Sequence, residues 1–207
     1  MTFAMKFARA LVPVAVIAAP VAAQAKLSPG LAEFQSHLNA VQTMTANFTQ
    51  TDAKGQTLSG SLKLKKPGRI RFEYGGGANM LLVADGQKLT FIDYDVGQKN
   101  SWELDRTPLG ILLQDHPDVS HAAKVQPSSN PNVLVIEAKD PRHPYIGSLV
   151  LAFIRDTAAP GGLMLYGWTA IDAQHKRTTV RLSDQKYNVP ISDSAFAYAE
   201  PKKRGRQ

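Results

Sequence analysis

Residues 59–74 read SGSLKLKKPGRIRFEY and put Leu62, Leu64, Ile70, Phe72 and Tyr74 on one parity, with Lys63, Lys65, Arg69, Arg71 and Glu73 on the other. Side chains of a strand alternate between its two faces, so the stretch predicts two β-strands with one buried face. Lys66-Pro67-Gly68 between them supplies the turn. The apolar row faces either protein core or a cavity that holds an apolar ligand, and the rest of the chain has to separate the two.

On the C-terminal side, residues 80–84 and 88–93 flank Asp85-Gly86, a strong hairpin signal. Trp102 and Leu104 add a short strand, and residues 122–126, 133–138, 148–155, 163–172, 178–185 and 195–199 continue the series. On the N-terminal side, Ser28-Pro29 reads as an N-cap with proline at the first helical position. Leu31, Phe34, Leu38, Val41 and Met44 then recur at helical spacing, with His37 on the polar, exposed side. Thr107-Pro108 repeats the cap signature before Leu109, Ile111, Leu112 and Leu113, a short and very apolar helix. About ten strands with hairpin-length connections and two or three helices predict a mainly β (α+β) chain, a meandering antiparallel sheet large enough to curl. No composition break divides it, so one domain is expected.

Of the 207 residues, 43% are apolar and 20% charged, which places the chain among ordinary globular proteins. Lys6 and Arg9 precede an uncharged apolar run over 10–23, and Ala23-Gln24-Ala25 matches the small-x-small pattern of a signal-peptidase site. Residues 1–25 therefore read as a removed export signal. Nothing later has the apolar length of a membrane span. The absence of cysteine excludes disulfides, thiolate metal sites and an N-terminal lipidated cysteine. The formal charge of +7 suggests nucleic acid, but Lys6, Arg9, Lys202, Lys203, Arg204 and Arg206 lie at the two ends and leave a body near +1. That body has no electrostatic footprint for nucleic acid, and residues 201–207 form a basic tail.

The chain lacks a Gly-Lys dipeptide, a Gly-x-Ser-x-Gly elbow and a His-Glu-x-x-His pair, so none of these motifs points to a cofactor or a metal. The densest cluster of reactive side chains is Asp-His-Pro-Asp-Val-Ser-His at 115–121. A run this polar after a helix is ordinarily a solvated loop; the enzymatic alternative is a hydrolase using His116, Asp118 and His121. The distinctive segments are apolar: residues 80–83, 149–154 and 163–166 are hydrophobic on both parities. Both faces of those strands are covered, or one face meets a ligand.

Asn47-Phe48-Thr49-Gln50, residues 60–74, Leu82-Val83-Ala84-Asp85-Gly86, Thr107-Pro108-Leu109-Gly110-Ile111-Leu112-Leu113 and Phe196-Ala197-Tyr198, in this order and behind an export signal, resemble the periplasmic outer-membrane lipoprotein carrier family, LolA. The resemblance covers nearly all of residues 26–200 and implies one carrier domain there, an incomplete antiparallel β-barrel whose hydrophobic concave face is closed by a lid of helices. It implies a non-enzymatic periplasmic chaperone, a monomer without cofactor, that shields the acyl chains of lipoproteins between the inner and the outer membrane. Its partners would be acylated lipoproteins, an inner-membrane lipoprotein-releasing ABC transporter and, where one exists, an outer-membrane receptor. Leu62, Leu64, Ile70, Phe72, Leu89 and Phe91 become the expected lipid-binding wall, with Leu109, Leu112 and Leu113 in the lid. The family carries a basic residue, usually arginine, just before the proline of the second strand turn, and it holds the lid. Here that residue is Lys66, which keeps the charge without the planar fork of donors, so a single contact to a lid carbonyl is expected. A carrier or sensor of another lipid on the same fold is the alternative, because a hydrophobic trough does not record its cargo.

Overall fold

In a computed structural model, which describes residues 27–107, 109–115 and 117–202, Pro29 opens the first helix, α1 (Pro29–Ala40). At that position its missing N–H costs nothing and its fixed φ suits the helix. The helix is a turn shorter than its apolar spacing predicts: Val41 is the C-cap, and Met44 already pairs with Leu64 in the sheet. Residues 1–25, expected as an export signal, His116 and residues 203–207 of the tail lie outside the described residues.

Six strands follow as an antiparallel meander: β1 (Thr43–Thr51), β2 (Thr57–Lys65), β3 (Arg69–Tyr74), β4 (Met80–Asp85), β5 (Lys88–Asp93) and β6 (Gln98–Glu103). Two short helices, α2 (Leu109–Leu113) and α3 (Val119–Ala122), lead to β7 (Ala123–Gln126). From there β8 (Val133–Ala138), β9 (Ser148–Arg155), β10 (Leu163–Ile171) and β11 (Arg177–Tyr187) meander back until β11 pairs with β1. The result is one 11-stranded sheet, ordered β6-β5-β4-β3-β2-β1-β11-β10-β9-β8-β7, whose edge strands β6 and β7 are not paired with each other. No described helix is long and apolar enough to cross a membrane.

The sheet is rolled. Phe72 on β3 and Trp168 on β10 are four strands apart in the sheet order, about 19 Å if the sheet lay flat at ~4.8 Å per strand. Their ring centroids are 6.0 Å apart. Register carries apolar residues across the concave face in rows, Met44, Leu64, Ile70, Ala84 and Leu89 in one, Ala46, Leu62, Phe72 and Leu82 in the next. Val180, Trp168, Leu151 and Ile136 extend the pattern into the second meander. All strands except β6 contribute to this single core.

On the convex side, Leu81, Val83 and Ile92 form a smaller cluster with Phe196, flanked by Ile191 and Tyr198. Residues 195–199, expected as a strand, are the end of a 3-10 turn (Asp193–Phe196) and an extended run laid across the back of the sheet. Both edges of β4 are already hydrogen-bonded, by β3 and β5, so a segment crossing its face has no ladder to join. Side chains hold it instead. Asp193 pairs with Lys65 at 2.6 Å and Arg69 at 2.5 Å, Arg71 donates to the Ala197 carbonyl at 2.9 Å, and Lys99 meets Glu200 at 2.6 Å. Residues 80–83 are apolar on both parities because each parity has its own cover.

Candidate functional site

The concave face gathers Leu62, Leu64, Ile70, Phe72 and Leu89 into one cluster, none more than 7% exposed. Phe72 meets Phe48 edge-on with centroids 5.2 Å apart, and Phe48 meets Tyr74 at 5.2 Å. Such aromatic pairs add about 0.5–1.5 kcal/mol each beyond the area they bury. Three helices are seated on this face: Leu31, Phe34 and Leu38 of α1, Leu109, Leu112 and Leu113 of α2, and Val119 of α3 pack into the same cluster. Between α1, α2 and the strands lies a cavity of about 30 Å³, bordered by His37, Leu38, Met44, Leu64, Lys66 and Leu112 among others. That is room for a water molecule or two.

The turn Lys66-Pro67-Gly68 ties both helices to the sheet. Lys66 donates from Nζ to the carbonyl of Leu38, and its own N–H donates to Gln42 O at 2.9 Å. Gly68 N–H donates to Leu113 O at 2.8 Å. Leu38 and Leu113 belong to the last turns of α1 and α2, whose carbonyls have no partner within the helix, and a lysine there also meets the negative end of the helix dipole. Burial pulls the Lys66 pKa down to about 8, against the attraction of Asp115. The Gly68 contact is made by backbone alone, so no side chain announced it in the sequence.

Residues 39–199 match the family model described as outer membrane lipoprotein carrier protein LolA. The chain belongs to the LolA family. The outer-membrane lipoprotein carrier protein of Legionella pneumophila (strain Corby) is 32% identical over 177 residues, covering 81% of this chain and 84% of that one. That of Chromobacterium violaceum is 25% identical over 197 residues, 91% of each chain. A LolA superfamily protein of Nitrosomonas europaea is similar in structure with a TM-score of 0.44 at 10% identity, over 81% of this chain and 94% of that one. LolA proteins are carriers and not enzymes.

In this LolA chain Phe91 stands apart from the other expected wall residues. It continues the row of Ala46, Leu62, Phe72 and Leu82 by register, but it is half-buried and lies outside the core cluster. The next strand offers Asn100 opposite it, so the apolar row ends there. Trp102, beside Leu89 on the edge strand, is 50% exposed.

His37 corrects the expectation of an exposed residue. It is 4% exposed, with Nδ1 2.9 Å from the Pro160 carbonyl and its ring edge-on to Phe153 at 5.1 Å and Tyr187 at 5.9 Å. It lies three residues from Phe34 and next to Leu38, on the inward side of α1, and only its polar residue type disguised that position.

Asp118 and His121, the hydrolytic alternative, serve α3 as a cap. Asp118 accepts from Ser120 N–H at 3.0 Å and from Ser120 Oγ at 2.5 Å, and His121 Nδ1 lies 2.9 Å from Asp118 and 2.8 Å from Ser120 Oγ. These bonds, that of the Ser120 side chain first, hold the Asp118 carboxyl down at about 2. A catalytic triad needs the nucleophile on one ring nitrogen and the carboxylate on the other. Here both address Nδ1, and the His121 and Asp118 side chains are 78% and 68% exposed.

Proposed function

We propose that this protein carries the acyl chains of lipoproteins through the periplasm, taking them from the inner membrane and giving them up to the outer membrane. Residues 1–25 are its export signal and residues 26–200 its one carrier domain, which works as a monomer. The observation that supports this reading is a single apolar face, fed by all strands but β6, that is covered by three short helices rather than by a second sheet. Leu62, Leu64, Ile70, Phe72 and Leu89 form the wall, with Phe91 at its rim. Leu109, Leu112 and Leu113 belong to the lid, and Lys66 is its latch.

The magnitudes suit exchange. An acyl segment of about a dozen methylenes gains about 10 kcal/mol on leaving water, at about 0.8 kcal/mol each. Phe34, Leu38, Leu112 and Leu113 each gain roughly 1.5–3 kcal/mol from the same face, an upper estimate. The two sums are comparable, so helices and acyl chains compete for one surface, and loading is neither impossible nor irreversible. The chain has no nucleotide motif, so the work of extracting a lipoprotein from a bilayer belongs to a partner, an inner-membrane lipoprotein-releasing ABC transporter. Delivery is to an outer-membrane receptor where one exists. The same face suits another lipid, which is the second reading.

Mass spectrometry of what co-purifies with the protein from periplasm tests this. Acylated amino-terminal peptides are the expected finding. Free phospholipid with no acylated peptide would favour the second reading.

A further inference from the structure

We propose that His37 is a second latch on α1, set opposite Lys66, which holds the helix while its ring is neutral and releases it when the ring takes a proton. The inference rests on the carrier reading only for what the release serves. α1 is gripped at two successive residues by turns from different meanders: Leu38 by Lys66 of the β2–β3 turn, His37 by Pro160 of the β9–β10 turn. The second grip is a close one. Gly161 has φ +65°, and a Cβ placed on it would lie 2.5 Å from His37 N and 2.6 Å from His37 Cα, so the backbone of the turn rests directly against the backbone of the helix. The partner of Nδ1 at 2.9 Å is a carbonyl, which can only accept, so Nδ1 carries the hydrogen of the neutral ring. Phe153 and Tyr187 meet the ring edge-on, and with it they border the small apolar cavity under α1.

A charged ring fits this slot poorly. The titratable groups facing it are Lys66 from the β2–β3 turn and Tyr187 from β11, with Asp115 behind the first and Asp156 behind the second. Burial foremost, and then the Lys66 charge, lower the affinity of His37 for a proton; the backbones of Pro160 and Leu163 oppose this without reversing it. A seated His37 therefore binds a proton less readily than one freed with its helix. Closure has its full strength above the ordinary histidine pKa of about 6.5 and weakens as pH falls below it. Lys66 titrates near 8, and burial raises Tyr187 above its usual range, so neither changes charge in that window.

The chain has no cysteine, which makes a spin-label test direct. Nitroxides are placed on Ala32→Cys in α1 and Gln174→Cys in the β10–β11 turn, both exposed positions, and the distance distribution is measured by pulsed electron resonance without any cargo. The long-distance, open population should rise about threefold or more between about pH 7.5 and about pH 5. His37→Gln, whose amide donates to Pro160 O and takes no charge, should stay closed with a flat pH profile. Gly161→Ala, which breaks the same grip from the other side, should be open at both pH values while circular dichroism remains that of the folded sheet. The proposal is overturned if His37→Gln follows the wild-type pH curve, if the wild type does not open, or if Gly161→Ala stays closed. Cargo takes no part in these readings, so their failure leaves lipoprotein carriage to be decided by what co-purifies.

Discussion

Phe72→Glu is expected to weaken binding of an acylated peptide by about 100-fold or more, equivalent to about 2.7 kcal/mol. Phe72 lies in the middle of the concave face, 2% exposed, between Leu62 and Leu82 across the strands and against Phe48 and Trp168 edge-on. With the helices seated, a carboxylate there has no partner and must stay protonated or force the lid up. With acyl chains seated, it faces hydrocarbon. Truncation to alanine removes the ring without adding a charge and should lower stability by about 3–5 kcal/mol, as buried phenylalanines do. Urea titration gives that number, and fluorescence of a labelled acylated peptide gives the affinity. Lys63→Glu, one residue from Leu62 on the convex parity and opposite Arg71, is the matched control and should fold and bind normally. Undiminished peptide affinity in folded Phe72→Glu would remove Phe72 from the wall.

Lys66→Leu should shift the lid toward open by about tenfold. The asymmetry of hydrogen bonding decides the sign: the lysine's own bond contributes roughly 1.5–3 kcal/mol, and a leucine leaves the Leu38 carbonyl without its donor at a cost of about 1–3 kcal/mol. Relief of the buried charge offsets part of this. Such a variant still takes up cargo, but the competing closed state is weaker, so onward release of labelled lipoprotein to outer-membrane vesicles slows. Lys66→Arg should restore release or exceed it, because a guanidinium presents several donors to the helix-end carbonyls where an ammonium reaches one. The pH dependence has a defined sign. The seated lysine, at about 8, binds its proton less readily than an exposed one, so closure strengthens as pH rises above 8 and is unaffected by this group below it. Arginine should abolish that slope. Equal release rates for lysine, leucine and arginine would make residue 66 a turn residue and nothing more.

Much of this architecture was legible from local chemistry. Alternation over 59–74 and the Asp85-Gly86 turn place the strands because each depends on neighbours a few residues away, and parity alone puts Leu62, Leu64, Ile70 and Phe72 on one face. What escaped depends on distant partners. The β1–β11 pairing that joins the two meanders leaves no trace in either strand. Phe196 looked like part of a last strand, because an apolar segment covering the back of a sheet has the same alternation as one extending its edge. His37 is buried by a carbonyl 123 positions away in the chain, and Gly68 reaches Leu113 through backbone, so neither contact could be read from residue type.

If α1 and acyl chains compete for one face, a helix that cannot leave must shut acyl chains out. Arg155 Nε donates to Glu33 Oε2 at 2.8 Å, joining the end of β9 to α1 through a pair half open to solvent. Replacing both by cysteine in this otherwise cysteine-free chain gives up that exposed ion pair, worth about 1 kcal/mol or less, together with the bond from Arg155 Nη1 to the Pro131 carbonyl, and permits bridging with a short cleavable bismaleimide. The measurement is uptake of a fluorescent acylated peptide by the bridged, unbridged and cleaved forms of the same preparation. Competition predicts normal uptake by the unbridged protein, loss of uptake on bridging and recovery on cleavage. Uptake by the bridged protein equal to that of the unbridged one would mean that acyl chains bind without displacing α1 and that the two do not compete.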